Sequence, residues 1–152
     1  MPVTSSAKIK QALVATMRAD TSLRTAVNGF HESFAPAKTN YPFVTYDRVS
    51  APYDYDWSSV TLRSYWDIQV WSRSSVEAED LDALVTTVLN DASLVVAGQS
   101  TLICRRYADL GDRDVDEEGQ PIYMAGGTYE VWTSQPVPQH EETSFAADAV
   151  LL

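Results

Sequence analysis

The chain has one cysteine, Cys104, among 152 residues. An internal disulfide is therefore excluded, and the composition suits a reducing compartment. Histidine is almost as scarce, with only His31 and His140. Long apolar runs are missing too. No stretch reaches the eighteen or more apolar residues that a membrane span requires, and "MPVTSSAKIKQALVATMRAD" lacks the unbroken apolar segment of a secretory signal. Positive charge is in short supply: eleven Lys and Arg against twenty-one Asp and Glu give a formal net charge of −10. The longest basic cluster is Arg105-Arg106. Proteins that hold nucleic acid by neutralising phosphates need a basic patch, and none is legible here. The expectation is a cytoplasmically made protein without a membrane segment, which does not grip nucleic acid.

Aromatic groups, by contrast, are plentiful. Four Trp, eight Tyr and four Phe within a 45% apolar composition argue for a packed domain rather than a disordered chain. Along "SSAKIKQALVATMRAD", Ile9, Ala12, Leu13, Thr16 and Met17 share one helical face, with Ser5 or Ser6 as N-cap. A second short helix follows from Asp20 or Thr21, and Asn28-Gly29 is expected to stop it in a left-handed conformation. "FHESFAPAKTNYP" reads as a loop and "YPFVTYDRVS" as a strand. "APYDYDWSS" is polar enough to be a connector. From Leu62 to Ser72 the pattern alternates, with Leu62, Ser64, Trp66, Ile68 and Val70 on the core side. At Ser74 the period changes. Ser74 and Glu77 fit a capping box, and Leu81, Leu84, Val85, Val88 and Leu89 then line one side of a helix. Two further strands, about 99–110 and 121–133, are joined by an acidic loop, and Gly126-Gly127 suggests a bulge or a close backbone approach.

Adjacent strands between helices predict an α+β fold: an antiparallel sheet of about four strands with two main helices packed on one face. Residues 1–134 read as a single domain, and residues 135–152 as an acidic, Pro-containing C-terminal tail.

Residues that do chemistry are hard to assemble. The G-x-S-x-G elbow and the G-x-x-x-x-G-K-[ST] phosphate loop are both absent. His31-Glu32 lacks the second His of a zinc-protease helix, and Cys104 reads as a structural thiol within a strand. Asp112, Asp114 and Asp116 have the opening spacing of a calcium loop, but Glu117 stands where its Gly is needed and Tyr123 where its bidentate Glu is needed. A solvated hairpin tip fits better. No catalytic, cofactor or metal residues are assigned, and no enzyme activity is expected. The aromatic residues Tyr53, Tyr55 and Trp57 in the connector, with Tyr65 and Trp71 opposite the core face of their strand, are the candidate interface instead. Exposed aromatic groups beside polar ones mark contact surfaces.

Taken in order, "NYPFVTYDRVS", "YWDIQVWSRS", the capped helix "SVEAEDLDALVTTVLND" and "ASLVVAGQSTLICRRYADLGDRDVDEEGQPIYMAGGTYEVW" resemble the tail-completion or tail-terminator proteins of long-tailed bacteriophages and prophages. Asp20-Thr21-Ser22-Leu23, Tyr41-Pro42-Phe43-Val44 and Val70-Trp71-Ser72-Arg73 carry the likeness most clearly. The resemblance implies a ring-forming virion subunit, usually a hexamer, that caps the tail tube, ends its polymerisation and offers a surface for head-tail joining. Its implied partners are copies of itself, the tail-tube protein and a head-side connector or head-closure protein. DNA passes through without specific binding, and no cofactor is implied. It also places the protein in the virion near the neck, after assembly in the host cytoplasm. Another neck ring component, a head-closure or adaptor protein, is the alternative, with a small cytoplasmic enzyme or ligand-binding domain behind it. Lumen or ring-edge positions are then expected for Asp54 and Asp56, and for Asp109, Asp112, Asp114, Asp116, Glu117 and Glu118, since carboxylates there would repel passing phosphates.

Overall fold

A computed structural model describes residues 6–56 and 58–136. Among these residues three helices and six strands follow one another: α1 (Ser6–Ala19), α2 (Thr21–Ala26), β1 (Phe30–Glu32), β2 (Phe43–Ser50), β3 (Tyr53–Tyr55), β4 (Ser59–Ser72), α3 (Ser75–Leu89), β5 (Ser100–Val115) and β6 (Pro121–Pro136). The strands make one sheet in the order β1-β2-β4-β6-β5, with β3 also paired to β4.

The α+β class stands, but the expected sheet needs two corrections. It has six strands rather than about four, and it is mixed, because β1 runs parallel to β2. Both extra strands are three residues long and fall in segments whose Pro and polar content reads as loop. Neighbouring strands recruit them. Phe30 pairs with Val44, while Tyr53 to Tyr55 continue along the edge of β4 that β2 leaves at Ser50.

The centre of the sheet is β4, and its period-two pattern decides which face is covered. Val60, Leu62, Ser64, Trp66, Ile68, Val70 and Ser72 are all buried, while their intervening neighbours are not. Against this face pack Ile9, Leu13 and Met17 of α1 and Leu81, Val85 and Leu89 of α3. Burying each such aliphatic side chain contributes about 1.5–3 kcal/mol, before the entropy of ordering the chain is subtracted. Lys10 bridges Glu32 at 2.5 Å and Arg48 Nη1 donates to Ser6 Oγ at 2.7 Å. These contacts set α1 over the β1–β2 edge, whereas α3 lies over β4 and β6.

Caps determine where the helices begin. Asp20 Oδ1 accepts from Leu23 N at 2.8 Å at the start of α2, and Ser74 accepts from Glu77 N at 3.3 Å at the start of α3. The return half of the expected capping box is relayed. Ser72 Oγ donates to Glu77 Oε1 at 2.5 Å and accepts from Ser74 N at 3.1 Å. The expected left-handed stop after α2 is not used. Val27 caps it in an extended conformation and turns its side chain into the core.

At the far end of the chain, β5 and β6 form a long antiparallel hairpin. At about 3.4 Å per residue, sixteen residues span on the order of 50 Å. The expected acidic loop after Leu110 is thus largely strand: β5 continues to Val115, and only Asp116 to Gln120 make the turn. Likewise, β6 runs to Pro136, two residues beyond the expected domain boundary, pairing Gln135 with Val60 and Pro136 with Ser59. The rest of the proposed tail lies outside the described residues.

Candidate assembly interface: the uncovered sheet face and its outer strand

Cross-strand partners share a face, so the register fixes what lies opposite the helices. Arg63 stands beside Trp132 and Ile103, Tyr65 beside Glu130 and Arg105, Asp67 beside Thr128 and Ala108, and Trp71 beside Met124 and Asp112. Among the described residues, all three helices pack on the other side. Several polar groups on this uncovered face pair laterally, although Arg63 Nε and Trp132 Nε1 are buried without a hydrogen-bond partner among the described residues. The Arg63 guanidinium lies 4.6 Å from the Trp132 ring centroid and is ion-paired with Asp54. Arg105 is paired with Glu130, whose carboxylate is almost wholly shielded. Thr128 Oγ1 donates to Asp67 Oδ1 at 2.6 Å. Between these pairs Tyr65 meets Tyr107 edge to face, with centroids 5.6 Å apart.

The face is not uniformly open. Near the β4–α3 junction Phe43 and Thr45 are buried, and Trp71 Nε1 donates to Thr45 Oγ1 at 3.0 Å. Trp71 is therefore half-buried in the floor of a cleft of about 950 Å³ between the 33–41 loop and the hairpin turn. Arg73 closes one side, stacked over Tyr41 and bridging Asp116 at 2.5 Å. Tyr53 and Tyr55, on the short edge strand β3, are both exposed, with their rings stacked at 6.2 Å. Trp57 lies outside the described residues.

The acidic candidates fall into three places. Asp54 and Asp56 flank the β3 end of the sheet. Asp56 is a turn-former: the N–H groups of Ser58 and Ser59 donate to Oδ1 at 2.8 and 2.7 Å, and they hold its carboxyl below the usual aspartate range. Asp109, Asp112 and Asp114 are exposed along the outer half of β5, and Asp109 pairs with Arg106 at 2.8 Å. Asp116, Glu117 and Glu118 form the hairpin turn. Asp116 accepts from Gln120 N and Glu118 N, and these bonds, with Arg73, lower its pKa. Asp54 and Asp56 lie at the end of β4 opposite from the hairpin turn, so the structure does not bring the eight carboxylates into one group. Among the described residues no metal-ligand cluster forms.

Two features escaped the sequence reading. First, β5 is the outer strand, and its two bulges fall at Leu102 and Tyr107, both well exposed. Alternation cannot assign a bulged residue to a face, so neither stood out. Second, Arg106 is a hub on the covered side. It is bidentate to Asp82 at 2.9 and 2.8 Å, and it also donates to Thr86 Oγ1, Tyr129 Oη and Gly126 O. Its hydrogen bonds to Asp82 raise its pKa further, so it stays charged and ties the hairpin to α3. Cys104 is the structural thiol the strand position suggested. Burial, helped by Asp91, pushes its pKa up to about 12, and Sγ donates to Leu89 O at 3.2 Å.

The geometry is thus a scaffold that presents an aromatic face, an exposed outer strand and acidic turns. Solved structures share its fold, among them two from a virion particle and a bacteriophage. A chain from the virion of a native gene transfer agent particle superposes with a TM-score of 0.65 at 15% identity, covering 81% of this chain and 92% of that one. The gp17 protein of bacteriophage SPP1 matches with a TM-score of 0.50 at 23% identity, over 88% of this chain and 93% of that one. No curated protein sequence matches. The family model described as tail completion protein gp17 matches residues 11–132, most of the chain and every element from the middle of α1 into β6. The chain therefore belongs to the tail completion protein gp17 family of phage virion structural proteins.

Proposed function

We propose that this protein assembles as a ring, a hexamer by family likeness, on the last ring of tail-tube protein. There it ends tube polymerisation and offers the docking surface for the head-side connector. The observation that supports this most is the sheet face opposite the helices, which carries Tyr65, Tyr107 and Trp132 without a covering layer among the described residues. Exposing such groups in an isolated subunit forfeits burial energy, which a contact with a neighbouring protein would recover. Closed rings use heterologous contacts, in which one patch meets a different patch on the next copy. The lumen role of the acidic residues belongs to the same proposal. Carboxylates along the bore would leave DNA free to slide, and of the eight candidates the exposed turn residues Glu117 and Glu118 are best placed to project.

Electron microscopy of particles made without this protein tests the proposal. Overlong or headless tails are expected. Tails of normal length beside full heads that leak DNA would instead make it a connector component of the neck.

A further inference from the structure

Charge is divided between opposite edges of the sheet. Lys8, Gln11, Ala15 and Arg18 follow one another at helical spacing along the outward side of α1, and Arg24 carries the row onto α2; all five are exposed. No carboxylate lies within either helix, and neighbouring Asp20 is engaged as the α2 cap. α1 stands over the β1–β2 edge, tied there by the Lys10–Glu32 and Arg48–Ser6 contacts, and α2 packs beside α1. At the other edge, about 19 Å away across five strands, runs β5. Along its outer half and turn, Asp109, Asp112, Asp114, Glu117 and Glu118 are exposed, with Arg113 as the one exposed cation among them. The same strand exposes Leu102 and Tyr107 at its bulges, and no described strand pairs with its outer side.

We propose that the outer strand and turn of one subunit seat against the α1–α2 surface of the next copy around the ring. This rests on the ring reading above and names the two patches that meet. A two-fold contact through either edge would set like charge against like charge, whereas edge-to-opposite-edge contact sets carboxylates against cations. That relation repeats from copy to copy and generates a ring rather than a two-fold dimer. Leu102 and Tyr107 supply the apolar centre of the contact, and the charges steer and align it. Because the charges are exposed, assembly weakens as salt rises.

A charge-swap set tests this. One variant carries Lys8→Glu, Arg18→Glu and Arg24→Glu; a second carries Asp112→Lys, Asp114→Lys and Glu117→Lys; a third carries all six. Far-ultraviolet circular dichroism checks folding, and sedimentation velocity with tail-tube protein present gives the assembly state. The first two variants are expected to fold and to lose rings when alone. Mixed in equal amounts they should form rings with an even number of subunits, since each supplies the patch the other has lost, and the third variant should form rings by itself. Wild-type rings accompanied by equally good rings from either single-patch variant would overturn the assignment of these patches alone. Failure of the folded mixture to assemble would do the same. A wild-type chain that never forms rings, even on tubes, would overturn the ring reading and this inference together.

Discussion

Gly126 and Gly127 let three strands approach where β6 passes between β4 and β5. A Cβ on Gly126 would collide with the carbonyl oxygen of Ile68 and lie 2.9 Å from Gln69 Cα; one on Gly127 would meet the Arg106 guanidinium at 2.6 Å. The first obstacle is backbone and cannot swing aside. Gly126→Ala is therefore expected to cost about 3 kcal/mol, in the range of overpacked cores, read from the midpoint of urea denaturation. An unchanged midpoint would mean that the strands separate freely. At the hairpin turn, Asp116 is held ionised by Gln120 N, Arg73 and Glu118 N. Because its folded pKa is lowered, its stabilisation is fully present above an unfolded value of about 3.9 and is lost as pH falls through the folded value. Amide exchange at Glu118 and Gln120, corrected for its intrinsic pH dependence, should accelerate in that acidic window in the wild type. In Asp116→Asn the acceleration should be absent. The glycine pair was legible in the sequence as a close approach, and the acidic turn as a hairpin tip. The Arg106 hub was not, because its partners other than Asp109 lie 20 or more residues away in sequence and meet only through the sheet register.

The best-read elements were those whose pattern is local. β4 alternates through fourteen residues, and α3 carries both its cap and its apolar stripe in sequence, so each appears where expected. β1 and β3 are not legible in the sequence, since three residues cannot show a period and a neighbour's edge decides their conformation. The acidic run after Leu110 reads as loop because Asp and Gly disfavour strands; pairing with β6 overrides that preference. The cap of α3 offers a clean check. Ser74→Ala removes the acceptor for Glu77 N and is expected to cost about 1 kcal/mol, read as a lowered thermal midpoint with unchanged ring formation. A loss of rings without loss of stability would give Ser74 an interface role instead.

At the scale of the molecule, the described residues form a one-sided sandwich: a helical layer that is basic where α1 and α2 face outward, a sheet, and an aromatic face that no described element covers, bordered by an acidic hairpin. The candidate interface was partly legible beforehand. Tyr65 does lie on the uncovered face and Tyr53 and Tyr55 are exposed, but Trp71 is half-buried beside Thr45, and Tyr107 and Trp132 were not singled out. The reason is physical: which aromatic groups lie together depends on which strands pair, and that is decided by long-range register rather than by any one segment. Charge separation between the two sheet edges was invisible for the same reason. The most direct test is hydroxyl-radical footprinting, read by mass spectrometry, of the isolated chain and of the same chain within assembled tails. Tyr65, Tyr107 and Trp132 should be oxidised in the free subunit and strongly protected in the tail, while exposed Val76 on α3 changes little. Equal oxidation of the three aromatic residues in both states would contradict an uncovered face that is buried by assembly.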